Sequence, residues 1–135
     1  MTDYPGLAWL DRYRDRVNAD PELAVIGDWF TCAFALTFGE QRVALRVEKG
    51  RIVDLTVRPR LDQRVMFGFR APVAVWQKFL SPDPPPLFHD FFAMLMRVPE
   101  FVLEGDGLVA MQNARALHRM MNIMRETGAP DGQPG

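Results

Sequence analysis

The side chains in this sequence that could do chemistry are two histidines, one cysteine and a scatter of carboxylates and arginines. His89 and Asp90 are neighbours; on a helix they point about 100° apart, so they make no charge-relay pair by themselves and read as a solvated patch. His118 lies beside Arg119 on the polar side of the last helix, and two distant histidines without a cysteine cluster are not a metal site. Cys32 falls on the bulky face of a strand, where a thiol packs as a small hydrophobe. An acid–base enzyme needs a positioned carboxyl in a pocket; Asp54, Asp62 and Asp90 are the candidates, and Asp54 alternates to the wet face of its strand. Gly105-Asp106-Gly107 is too short to cradle a phosphate, and Asp106 opposes an anion at the helix start that follows. None of these groups forms a catalytic, metal-binding or cofactor-binding motif, so the expected cofactor complement is none.

The bulk numbers point the same way. A chain of 135 residues fits one domain and buries a core without staples. With 48% hydrophobic residues and a formal net charge of −1, it is neither a basic nucleic-acid binder nor a disordered tail. One cysteine makes no internal disulfide and no secretory signal opens the chain, so the expected setting is cytoplasmic. No apolar run is long enough to span a membrane. The unusual feature is ten Phe and eight Met, Met being adaptable filler for irregular cavities.

These residues need elements to hold them. The spacing predicts a helix over 2–17, with Leu7, Leu10, Tyr13, Arg14 and Val17 in register, then a helical turn over 22–26 capped by Asp20 with Pro21 at its first position. Residues 29–38 alternate large (Phe30, Cys32, Phe34, Leu36, Phe38) with small, a strand with a bulky face and a thin one. Strands over 42–48 and 52–58 follow across Gly-containing turns, with Val43, Leu45, Val47, Val53, Leu55 and Val57 facing in, which predicts an antiparallel meander. Val65, Phe67 and Phe69 mark a fourth strand, and Pro72 opens a helix through Leu80 with Val73, Trp76, Phe79 and Leu80 inside. A stiff linker of prolines (residues 81–86) leads to a helix over 87–96. There Phe88, Phe91, Phe92, Leu95 and Met96 share one broad face and only His89 and Asp90 are polar, so the helix must be covered on more than one side. A fifth strand, 101–104, precedes a last helix capped by Asp106, with Leu108, Met111, Ala114, Leu117, Met121 and Met124 along one side, Met120 and Ile123 adjacent, and Gln112, Arg115, Arg119 and Arg125 outside. Residues 1–127 are expected to form one domain and 128–135 a polar, disordered tail.

This order resembles the sterol carrier protein type 2 superfamily of lipid-binding domains. The matching segments are Arg42 to Val57, the strand-Pro-helix stretch Val65 to Leu80 around Trp76, and Phe101 to Met121 with its Glu104-Gly105-Asp106 turn. The resemblance spans roughly Asp20 to Met124 and implies an α/β (α+β) fold, a five-stranded, mostly antiparallel sheet with helices on one face. Between them it implies a tunnel for a fatty acid, fatty acyl-CoA or sterol, bound without covalent chemistry. By position, the wall would come from Trp76, Phe79, Phe88, Phe91, Phe92 and Leu95, closed by Leu117, Met120, Met121 and Met124, with Phe67 and Phe69 as part of the floor. Arg58, Arg60, Arg64 and Arg70 flank the third and fourth strands; the plain reading is a solvated rim, the functional one a tunnel mouth meeting a carboxylate, CoA phosphates or an acidic partner. Two departures stand out: the chain ends Gln133-Pro134-Gly135 rather than in a peroxisomal tripeptide, and Pro84-Pro85-Pro86 precede the apolar helix.

By analogy, a domain of this kind presents an acyl or steroid substrate to a fatty acid or steroid catabolic enzyme. Two other classes are weighed against the carrier. One is a small enzyme with a conical pocket of the ketosteroid-isomerase type, which needs one of the carboxylates named above to be buried. The other is a pure interaction module that docks the exposed part of residues 87–96. The carrier reading requires spare apolar volume between helices and sheet.

Overall fold

In a computed structural model, which describes residues 4–60 and 63–130, the chain folds into α1 (Leu7–Ala19), α2 (Pro21–Ile26), β1 (Cys32–Phe38), β2 (Gln41–Glu48), β3 (Arg51–Val57), β4 (Phe67–Ala71), α3 (Val73–Phe79), α4 (Phe91–Arg97), β5 (Val102–Gly105), α5 (Gly107–Gln112) and α6 (Ala114–Glu126). The expected helix start at Thr2, Asp62 and most of the expected tail lie outside the described residues.

The alternation of β1 sets the sheet. Its large residues Phe34, Leu36 and Phe38 are buried, and register carries that face across the neighbours. Phe34 pairs with Leu45 and Phe67, and Leu36 with Val43 and Phe69; Phe69 in turn pairs with Leu103. The strand order is β3-β2-β1-β4-β5, antiparallel except for the parallel pair β1–β4. The helices pack on this apolar face, where Trp76 of α3 meets Phe38 and Phe91 of α4 meets Phe69. Arg42, Arg46, Asp54, Arg70 and Glu104 project from the opposite face around the small residues Ala35, Ala44 and Gly68.

Four local expectations are corrected. The strand expected from Trp29 begins at Cys32, and Trp29 itself is 90% exposed. In β3 the pairs Arg46–Asp54 and Val47–Ile52 leave Val53 as an extra, bulged residue. The bulge turns Ile52 inward and Val53 out, because side chains alternate and one added residue flips the face. The apolar helix starts only at Phe91: Leu87 has φ +79°, which a helix excludes, and Asp90 caps the new start by accepting from Phe92 N at 2.8 Å. With that start its inner face is Phe91, Met94 and Val98, and Met96 is 83% exposed. The last helix breaks at Asn113, so α5 buries Ala110 and leaves Leu108 and Met111 exposed, while α6 buries Leu117, Met120, Met121, Ile123 and Met124.

The ends are tied across the helical layer. Tyr13 donates to Met120 O at 3.0 Å and Trp9 to Gly128 O at 2.9 Å. α1 accordingly buries Trp9, Leu10, Tyr13 and Val17 and leaves Leu7 exposed. Asp20 accepts from Leu23 N at 2.9 Å and also holds Arg119 of α6.

Candidate functional site

The chemistry the fold can offer lies in an aromatic layer between β4 and the helices. Phe67 stacks on Phe34 at 5.3 Å and meets Phe69 edge-on; Phe69 meets Phe91 edge-on at 5.5 Å and stacks on Phe101 at 5.9 Å. Trp76 then joins Phe38, Phe79 and Phe101, and its indole N–H donates to Thr37 O at 2.9 Å. Five of the residues expected in the wall and floor (Phe67, Phe69, Trp76, Phe79 and Phe91) thus form one run of ring contacts. It closes through Phe34, Phe38 and Phe101, which period alone assigns only to strands. Leu117, Met120, Met121 and Met124 are buried on α6. Phe88, Phe92 and Leu95 are half-buried and pack on the edge of the core.

This layer is closed. Trp76, Phe79, Phe69, Leu117, Met120 and Met124 expose no surface to a water-sized sphere, so none of them borders an open passage. An empty void of about 300 Å³ would cost about 7 kcal/mol, comparable to a domain's whole stability, so such a layer is either packed or filled. Met side chains suit both conditions because they repack easily.

Beside the layer, where α4 begins against α6, lies an open polar cleft of about 570 Å³ lined by Pro82, His89, Asp90, His118, Arg119, Asn122, Arg125 and Glu126. The two histidines, distant in sequence, meet here. His118 Nε2 is 3.9 Å from Asp90 Oδ2, its Nδ1 is 3.5 Å from Asn122 Nδ2, and its ring lies parallel to Phe92 at 6.1 Å. Helical period puts Arg119 and Arg125 outside; tertiary partners draw both partly in. Arg119 donates to both Asp20 oxygens and, at 2.7 Å, to Glu126, contacts that raise its pKa and hold the Asp20 carboxyl below the usual carboxylate range. Arg125 lies over the Phe79 ring and donates to three backbone carbonyls; burial lowers its pKa.

The remaining candidates disperse. Arg70 pairs with Glu104 at 3.6 Å on the outer sheet face, while Arg64 lines a separate groove at the other end of β4 with Cys32, Met66 and Val109. Arg58 and Arg60 follow β3 and line neither that groove nor the cleft. Burial pushes the Cys32 thiol up to about 11. Asp54 is exposed opposite Arg46, and Asp90 is occupied as a helix cap. Among the described residues no group of three or more His, Cys, Asp or Glu side chains is placed to hold a metal ion, and no helix is long and apolar enough to cross a membrane.

No family model and no curated protein matches the sequence. Solved structures do. A crystal structure of sterol carrier protein 2 superposes with a TM-score of 0.73 at 19% identity, over 92% of this chain and 98% of that one. The solution structure of a conserved hypothetical protein from Thermus thermophilus, a candidate sterol carrier protein, gives 0.69 at 19% identity over 98% and 93%. A UbiJ-SCP2 ubiquinone synthesis protein gives 0.57 at 11% identity over 90% and 99%. The mixed five-stranded sheet, the helices on its apolar face and the superposition over nearly the whole chain agree: this chain has the sterol carrier protein 2 fold.

Proposed function

We propose that the chain binds a lipid-like ligand (a fatty acid, fatty acyl-CoA or sterol) between β4 and helices α3, α4 and α6, without covalent chemistry, and presents it to an enzyme of fatty acid or steroid catabolism. The observation that carries this reading is the continuous layer of rings and methionines in this fold, sheathed on one side by α4, a helix of only seven residues. The wall would be Phe67, Phe69, Trp76, Phe79, Phe88, Phe91, Phe92 and Leu95, with Leu117, Met120, Met121 and Met124 behind it. The spare apolar volume expected between helices and sheet does not border Trp76, Phe79, Phe69, Leu117, Met120 or Met124, so on this reading the ligand takes the place of side chains rather than filling a standing void.

The magnitudes permit it. Lifting α4 exposes Phe91, Met94 and Val98, at about 1.5–3 kcal/mol each. A chain of about 16 carbons gains about 12 kcal/mol gross on burial and re-covers the same surface, less the costs of association. Micromolar binding is within reach of that balance. The half-buried Phe88, Phe92 and Leu95 mark the edge of the layer by which a chain would enter.

The test is native mass spectrometry of the protein purified from cells under gentle conditions, followed by solvent extraction. A co-purified fatty acid or steroid at near one per chain supports the carrier. A bare protein that also binds no added fatty acid or steroid at tens of micromolar rejects it.

A further inference from the structure

Arg125 has no carboxylate within ion-pair distance among the described residues. Its Nε donates to Phe79 O at 2.9 Å and its Nη2 to Phe88 O and His89 O at 3.3 and 3.2 Å, while Nη1 has no hydrogen-bond partner among the described residues. The guanidinium carbon sits 4.7 Å from the centre of the Phe79 ring, over a member of the aromatic layer. The cation is partly removed from water and hydrogen-bonds only to carbonyl oxygens; the Asp90 carboxylate acts on it from beyond ion-pair distance, so its contact shell lacks a negative group. The other charges in the cleft are committed. Arg119 is engaged by Asp20 and Glu126, and Asp90 caps α4 through Oδ1 while Oδ2 faces His118. Among the described residues, the His89 side chain makes no hydrogen bond and that of Asn122 meets only His118.

We propose that this cleft seats the carboxylate of an amphipathic ligand on Arg125, flanked by His118 and Asn122, with the ligand's apolar chain passing between Phe88 and Phe92 into the layer beneath. The inference rests on the ligand-binding reading above and narrows it. The cleft walls carry two arginines and two carboxylates, so they can accept one added negative charge on Arg125 but are poorly matched to a cluster of phosphates. The ligand class this favours is a free carboxylic acid over its CoA thioester or a neutral sterol. Phe88 and Phe92 are half-buried at the boundary the chain must cross: Lys78 Nζ lies 5.0 Å from the Phe88 ring centre, and His118 of the cleft stacks on Phe92.

The test is fluorescence titration of the full chain with cis-parinaric acid and with its methyl ester, which share the chain and differ in charge. Wild-type protein is expected to bind the acid about tenfold more tightly or better, the size of one charge-assisted contact. Arg125→Gln is expected to bring the acid-to-ester ratio to about one. Because Arg125 also ties three carbonyls, thermal melting is measured alongside, and Asn122→Asp serves as a second variant that leaves those ties in place. It adds a like charge next to the seat, and the ratio is expected to fall by about tenfold. Equal binding of acid and ester by the wild type, or an unchanged ratio in both variants, overturns the inference while the carrier reading stands. Binding of neither probe overturns both.

Discussion

Replacing Asp20 separates two roles that the structure assigns to one carboxylate. Asp20 caps α2 through Leu23 N and grips Arg119 through both oxygens, at 2.7 and 3.1 Å, with side chains only 9% and 22% exposed. Asparagine caps as well as aspartate, so Asp20→Asn removes the charge pair alone, whereas Asp20→Ala removes the cap too. Charge-assisted hydrogen bonds contribute about 1.5–3 kcal/mol each, but Arg119 keeps Glu126 at 2.7 Å, so the expected loss for Asp20→Asn is about 2 kcal/mol. Asp20→Ala adds about 1 kcal/mol for the cap. At an unfolding entropy of about 2.1 cal/mol/K per residue, a chain of this length loses roughly 7 °C of Tm for the first variant and 10 °C for the second. The pH dependence supplies the check. Arg119 holds the Asp20 carboxyl below its ordinary range, with burial opposing in part. A depressed folded-state pKa gives stability that is present above the unfolded value of about 3.9 and lost as pH falls through the folded value. The Tm gap between wild type and Asp20→Asn should therefore be full at pH 7 and shrink below about pH 4. A gap under about 2 °C at pH 7, or one unchanged at pH 3, refutes the reasoning.

Three further outcomes follow from single contacts. Gly105 has φ +80°, and a Cβ there would lie 2.7 Å from Met66 O, so Gly105→Ala should cost about 2 kcal/mol or more by urea denaturation; a loss under about 0.5 would contradict the turn geometry. With its thiol pushed up to about 11, Cys32 should be roughly a thousandth thiolate at pH 8 and react with a disulfide reagent far more slowly than a free thiol until the chain is unfolded; equal rates folded and unfolded would contradict its burial. Trp76→Phe keeps an aromatic ring in the layer but loses the bond to Thr37 O, and should cost about 1–2 kcal/mol in the same denaturation assay.

What the sequence makes legible here is what period and caps encode. The large-small alternation of β1 and the capping residues Asp20 and Asp106 appear in the structure where residue type places them. The parallel pairing of β1 with β4 is a choice made by the crossover after β3, which no local pattern carries. The same holds for the bulge at Val53: an extra residue in a run of alternating side chains looks like a strand in either register until its partner is known. The helix expected over 87–96 starts four residues too early because Leu-Phe-His-Asp has helical spacing, while the positive φ of Leu87, which a helix excludes, leaves no mark in that spacing. His89, His118 and Arg125 are the clearest case. Each is polar and looks solvated within its own element, and only the packing of α4 on α6 makes a cleft of them. The expected wall residues come by position from the family resemblance, and apolar content alone gives no sign of whether the layer around them is packed or filled.

The central claim, that a lipid enters between β4 and α3, α4 and α6, is tested most directly by methyl NMR with every methionine methyl carbon labelled. Met94, Met120, Met121 and Met124 lie buried against the layer, whereas Met66, Met96 and Met111 face solvent. Titrating palmitate below its aggregation limit should shift the four buried methyls together, saturating near one ligand per chain, with the three exposed ones nearly still. Shifts confined to Met66, Met96 and Met111, or no saturable shift in any methyl, would contradict the account.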